Sequence, residues 1–342
     1  MTNQMKISII VPVYNVERYI EACLKSVMEQ NFGGALECIV VDDCGGDSSM
    51  AVVERLTSAY AGPIEFRIVR HDSNRGLSAA RNSGIRAASG DYVSFVDSDD
   101  RLLPGAIAAM AAVAERFSGV DIVQGDMWLK NPTRFMDFLC VSPVLFPEYS
   151  DDRAWCSRSL LTEIPMTAWG KLIRREFITG NDLYFCEGLL HEDDMWRVCA
   201  ARQVRSVAFC FTPVYFYRND NADSIIHRKD KTLSFVSRLK IIGNMVDGFG
   251  QSDYKGECRY LFDALQFAGK AQAWECIGDK ALAGSELRRL DRMARKSRLP
   301  GLFRFMIRYL TLPVMIGDSM FVRPFYLSFI NRSFNRLMAE GE

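Results

Sequence analysis

The chain has 342 residues, a formal net charge of zero and a hydrophobic content of 49%. That is long and apolar enough for a main domain with an extension and a sizeable core. The balanced charge removes the electrostatic basis for binding nucleic acid, and no charge-free apolar run reaches the ~18 residues of a membrane span.

The N-terminus runs straight into a strand, with no basic segment followed by an apolar one. A cytoplasmic protein without a signal peptide is expected. The ten cysteines are scattered and form no C-x-x-C pair. Buried free thiols in a reducing compartment fit this pattern better than disulfides or a zinc site.

Ile7 to Val11 reads as a strand. Asn15 can cap a helix from about Val16 to Gln30, with Ile20, Leu24 and Val27 on one face. Glu37 to Val41 is a second strand, ending at Asp42-Asp43, and Asp47, Ser48 or Ser49 can cap the next helix. Phe66 to Val69 is a third strand, Gly76 to Ala88 a helix and Tyr92 to Val96 a fourth strand. Pro104 to Phe117 is an Ala-rich helix with proline in its first turn, and Val120 to Val123 is a fifth strand. The alternation predicts an α/β fold, a doubly wound and mostly parallel sheet with helices on both faces. Such sheets bind ligands at the carboxyl ends of their strands, and the polar clusters fall there after each of the first four strands. Residues 126–218 are mixed, aromatic and Pro-rich, with a short strand around Val207 to Phe211. Residues 230–298 read as helical.

Asp97, Asp99 and Asp100 follow the buried run Val93 to Val96. Carboxylates so close repel one another unless a cation sits among them. A hard divalent ion prefers oxygen ligands and shares them with phosphate. The other reading is a solvated turn entering the helix at Pro104. Asp42-Asp43, ahead of Cys44-Gly45-Gly46, can accept hydrogen bonds from a nucleobase or ribose, or simply form a turn. Glu192-Asp193-Asp194 can supply a base or begin a solvated helix. Arg75 and Arg81 can contact ribose or phosphate, or pair with Asp42 or Asp97.

In order and spacing, ISIIVPVYN (Ile7 to Asn15), IVVDDCGGDSS (Ile39 to Ser49), NRGLSAARNSG (Asn74 to Gly84) and FVDSDD (Phe95 to Asp100) resemble the signatures of family 2 glycosyltransferases of the GT-A fold. Trp169-Gly170-Lys171, where the family usually has Asn in the middle, and His191-Glu192-Asp193-Asp194 extend the resemblance over about two thirds of the chain. It implies an inverting transfer of a hexose-type sugar from a nucleoside diphosphate sugar, with UDP suggested, to an acceptor hydroxyl on a glycan or lipid-linked glycan in surface-polysaccharide or glycolipid synthesis. It implies that Pro12 and Tyr14 flank the nucleobase, that Asp43 reads its edge, and that Asn15, Arg75, Arg81, Asp97 and Ser98 complete the donor site. Mn²⁺ or Mg²⁺ would sit on Asp99 with Asp97, Asp100 or His227 as further ligands. Asp193 would be the general base, with Glu192 as its supporting or acceptor-binding neighbour and Asp194 as the other candidate for the base, while Trp169 and Lys171 would meet the acceptor.

On this reading residues 1–228 form the catalytic domain, with 1–125 as its nucleotide-sugar half and 126–228 as its acceptor half. Residues 229–342 form a helical extension. Residues 300–338 are basic and aromatic, suited either to an anionic membrane surface or to packing on the domain or on a second copy of the chain. Two other functions remain open: a non-catalytic nucleotide-sugar binder, and a nucleotidyltransferase, although Val11 to Asn15 lacks the Gly-rich basic loop that holds a triphosphate.

Overall fold

The computed structural model describes residues 4–129, 141–218, 230–271, 277–310 and 322–340. They form two compact units: Met1–Cys156 with Glu163–Gly188 and Gln203–Ala222, and Ser157–Thr162 with Leu189–Arg202 and Asp223–Glu342. Ser157–Thr162 and Leu189–Arg202 of the second unit both lie within residues 126–228.

The first unit is built on one sheet of nine strands. Its strands are β1 (Lys6–Val13), β2 (Ala35–Asp42), β3 (Glu65–Arg70), β4 (Tyr92–Phe95), β5 (Arg101–Leu102), β6 (Ile122–Leu129), β7 (Tyr149–Ser150), β8 (Lys171–Arg174) and β9 (Val207–Tyr217). The order is β3-β2-β1-β4-β8-β6-β9-β5, with β7 also on β9. β1 and β4 are apolar almost throughout because both faces are covered, as parallel strands require. The pairs β3-β2, β2-β1 and β1-β4 are parallel, with Val13 opposite Asp42 and Ile10 opposite Phe95. The expected edge is thus real: β1, β2 and β4 end side by side.

Beyond β4 the sheet is mixed. β8 runs antiparallel to both β4 and β6, and β9 is parallel to β6 but antiparallel to β5. β9 is also twice as long as expected, with its register broken where Asp126 meets Pro213. Proline has no N–H to give the ladder, so a break is needed there.

The helices of this half are α1 (Ile20–Met28), α2 (Ser49–Ala59), α3 (Leu77–Ala87) and α4 (Ala106–Arg116). α1 starts later than the sequence suggests because Asn15 is not its cap. Its backbone is left-handed, φ 53°, a conformation asparagine tolerates, and its Oδ1 accepts from Gly46 N–H at 2.8 Å. Val16 N–H likewise donates to Ser49 Oγ, and Glu17 N–H to Asp47. These bonds lock the turns after β1 and β2 together.

Gly170 has φ +73°, and its carbonyl accepts from Gly125 N–H at 2.9 Å. Glycine and asparagine are the residues that adopt this backbone most readily, which explains how Gly170 stands where the family usually has Asn.

The second unit contains α7 (Glu192–Ala201), α8 (Thr232–Asp247), α9 (Tyr254–Ala271), α10 (Lys280–Lys296), α11 (Gly301–Leu310) and α12 (Val322–Glu340); α5 (Arg153–Thr162) and the short α6 (Arg175–Gly180) precede them. α10 buries Ala283, Leu287, Leu290 and Ala294, a stripe at helical spacing. Phe262 of α9 stacks on Phe334 of α12 with ring centroids 3.9 Å apart. Among the described residues no helix is long and apolar enough to cross a membrane, and the eight of the ten cysteines that are described are free thiols.

Candidate active site

The carboxyl ends of β1, β2 and β4 gather most of the residues the sequence singled out. Tyr14, just past β1, is 48% exposed, although large aromatics usually bury their rings. Pro12 behind it is buried. Asp43, past β2, is 2% exposed. Its Oδ1 accepts from Arg75 N–H at 2.8 Å and contacts His71 Nδ1 at 2.7 Å, while Oδ2 accepts from Gly76 N–H at 2.8 Å. His71 contacts Ser83 Oγ through its other nitrogen. Asp43 therefore fixes the turn that opens α3, and His71 is a partner the sequence reading missed. Asp42 instead accepts from Cys44 N–H. Arg75 is exposed and turns its guanidinium toward Glu187 at 3.4 Å.

β4 ends in the carboxylate cluster, and its three aspartates differ sharply. Arg81, whose side chain is 3% exposed, donates to Asp97 Oδ1 at 2.8 Å. Asp97 is partly exposed, as is Asp99, and Ser98 between them is buried. Asp100 is 1% exposed. It accepts from Tyr215 O–H at 2.9 Å and from Arg218 N–H at 2.7 Å. Burial pushes its carboxyl well above the usual range, reinforced by the charges of Asp99 and Asp97. Asp100, one of the sequence candidates for the metal, thus turns its oxygens toward Tyr215 of β9 and the backbone just after that strand.

Asp97 and Asp99 are the partly exposed carboxylates of the cluster, the chemical type of donor a hard cation takes. Among the described residues no group of three or more Asp, Glu, His or Cys could hold a metal, but Mg²⁺-type sites commonly use one or two carboxylates and fill the rest with phosphate and water. His227 lies outside the described residues.

Arg218 was not among the sequence candidates. Its Nε donates to the Asp99 carbonyl at 3.1 Å, and its guanidinium lies 5.1 Å from the Tyr19 ring centroid. The only sequence signal was its position at the end of a strand-like aromatic run.

The two expected acceptor residues belong to the core. Trp169 is 5% exposed and stacks on Tyr215 at 4.4 Å and on Tyr217 at 5.1 Å. Lys171 is 2% exposed and donates to the carbonyls of Pro165 at 2.8 Å and Thr167 at 2.6 Å. A buried ammonium needs such oxygens, so Lys171 shapes the 165–169 loop and has no surface to offer a glycan.

In the second unit, Glu192, Asp193 and Asp194 form the first turn of α7, where acidic residues suit the helix dipole. Asp194 is buried, bonded to Arg197 at 2.6 Å and to Tyr260 O–H at 3.1 Å. Glu192 is 8% exposed. Asp193 is more exposed than either neighbour and accepts from Asp194 N–H. His191 precedes them with a left-handed backbone, φ 62°, and contacts Ser234 Oγ at 2.7 Å.

Burial, with Arg238 adding to it, lowers the His191 pKa from 6.5 to about 4. The folded ring stays neutral, while the unfolded chain takes up a proton below about pH 6.5. The stabilisation is therefore complete above that pH and is lost as pH falls toward 4. His191 should cost about 2 kcal/mol of stability between pH 7 and pH 5. Urea unfolding of wild type and His191→Asn, which tolerates the same backbone, checks this: the variant should lose that slope, and an equal pH dependence would refute it.

Against known proteins, the family description glycosyl transferase family 2 matches residues 8–164. EpsH of Bacillus subtilis, a protein named as a glycosyltransferase, is 31% identical over 239 residues, which is 69% of this chain and 66% of EpsH. The chain thus matches about two thirds of that relative's length. The structure of Staphylococcus aureus TarS 1-349 in complex with UDP-GlcNAc superposes with a TM-score of 0.66 at 21% identity, covering 90% of each chain. A mannosyltransferase from Pyrobaculum calidifontis in complex with GDP-Man and Mn²⁺ gives 0.55 at 17% identity, over 90% of this chain and 86% of that one. At these identities the two structures speak for the fold.

Proposed function

The chain belongs to glycosyltransferase family 2, and from that footing we propose that it transfers a sugar, with inversion, from a UDP-sugar to a hydroxyl of a glycan or lipid-linked glycan. The observation that carries this reading is the edge of β1, β2 and β4. An exposed aromatic ring at Tyr14 and two partly exposed carboxylates at Asp97 and Asp99 lie on adjacent strand ends.

In this reading the nucleobase lies on the Tyr14 ring, and the turn held by Asp43 presents backbone groups to the nucleoside. Arg81 keeps Asp97 oriented, so that Asp97 and Asp99 together would hold Mn²⁺ or Mg²⁺. A bound divalent ion offsets the charge that builds on the departing diphosphate. Arg218, tied to the Asp99 carbonyl, adds a charged donor to that group. Asp193 takes the proton of the acceptor hydroxyl as its oxygen bonds to the anomeric carbon and the bond to the diphosphate breaks. Asp194 is committed to Arg197 and Tyr260, which favours Asp193 for that role. The UDP-GlcNAc in TarS makes UDP the first nucleotide to test.

A thermal-shift panel of UDP-, GDP- and dTDP-sugars, each with and without Mn²⁺, tests the reading. Ligand at about a hundred times its Kd stabilises by about 2.7 kcal/mol, a rise of several degrees. UDP-sugars should stand out, and only with metal. A flat panel, or a rise independent of metal, would count against it.

A further inference from the structure

The chain is neutral overall, yet its charge is unevenly placed. Residues 280–310 carry nine lysines and arginines against Glu286 and Asp291 alone. α10 buries one stripe and turns Arg288, Arg292 and Arg295 outward at one-turn spacing. α11 does the same. It buries Phe303, Met306, Ile307 and Leu310 and exposes Arg304, Phe305 and Arg308. Asp291 of α10 receives both Arg295, at 2.6 Å, and Arg308, at 3.1 Å, so the two basic faces adjoin. On α12, Phe329 is 50% exposed and meets Phe305, itself 45% exposed, edge to face at 5.4 Å. Arg332 and Arg336 are exposed on the same helix.

Two outward phenylalanine rings bordered by arginines are costly in water. They are well suited to the boundary between headgroups and acyl chains. We propose that this α10–α11–α12 face docks the second unit on an anionic lipid surface, with arginines on lipid phosphates and Phe305 and Phe329 inserted among them. A soluble polyanion would satisfy the arginines but leave the rings in water, which is why lipid is the favoured partner. The proposal is independent of the transfer reaction.

Co-sedimentation of the full chain with vesicles tests it. Wild type should bind vesicles containing roughly a third phosphatidylglycerol and ignore pure phosphatidylcholine, with binding falling as salt rises. Arg288→Glu with Arg292→Glu should weaken binding at least about tenfold, since each basic residue near such a surface adds to the attraction for anionic lipid. Phe305→Ser with Phe329→Ser should weaken it while keeping the salt dependence. Equal binding to both vesicle types, no vesicle binding, binding of polyphosphate without vesicles, or unchanged binding by the charge-reversed variant would each overturn the proposal. The wild-type lipid and salt contrasts stand even if a variant folds poorly.

Discussion

Asp193→Asn is expected to lower transfer by about 10²–10⁴-fold, while UDP binding and the melting temperature stay near wild type. The amide keeps the size of the side chain and can still accept from Asp194 N–H, but it cannot take a proton from an acceptor hydroxyl. Its neighbour gives the contrast. Asp194→Asn disturbs a buried pair with Arg197 and a bond from Tyr260, and losing the charge of such a pair costs about 3 kcal/mol. Steady-state kinetics with thermal melts separate the two. Activity should fall with stability kept at Asp193, and stability should fall at Asp194. Wild-type transfer by Asp193→Asn would remove the residue from the reaction.

The second large effect divides the carboxylates of the β4 end. Asp97→Ala leaves the buried Arg81 guanidinium without its carboxylate and should cost about 3 kcal/mol, or roughly 10 °C in melting temperature. Asp99→Ala keeps the carbonyl that holds Arg218, and a partly exposed position of this kind should shift melting by only about 2 °C. Both should abolish transfer. Only Asp97→Ala should also unfold early, and restoring the protein's stability with osmolyte should not restore its activity. Equal melting of the two variants would contradict the structural role of Arg81.

Much of this was legible in the sequence. The four strand-helix units follow from apolar runs broken at polar turns, and a parallel order of strands puts their ends at one edge. What sequence could not resolve is which polar groups turn inward. Asp97, Asp99 and Asp100 are chemically alike, and Asp100 is buried because Tyr215, 115 residues later, happens to reach it. Lys171 is an acceptor-side candidate in sequence, and nothing there shows the carbonyls of Pro165 and Thr167 around its ammonium. Trp169 suits a sugar face or the core equally well in sequence, and Tyr215 and Tyr217 against it place it in the core. Asn15 is an ordinary cap candidate in any periodicity argument, and its left-handed backbone becomes visible only with Gly46 beside it. β8 escaped notice because four residues carry too little pattern to separate an antiparallel strand from a loop.

The most direct test of the central claim is isothermal titration of UDP into wild type and Asp99→Asn, with Mn²⁺ and with EDTA. Wild type should bind only with metal, and the variant should bind at least about tenfold more weakly, the loss expected for a hydrogen bond or ligand contact to a charged group. Equal binding by both proteins, or binding undiminished by EDTA, would contradict a metal-held diphosphate at Asp97 and Asp99.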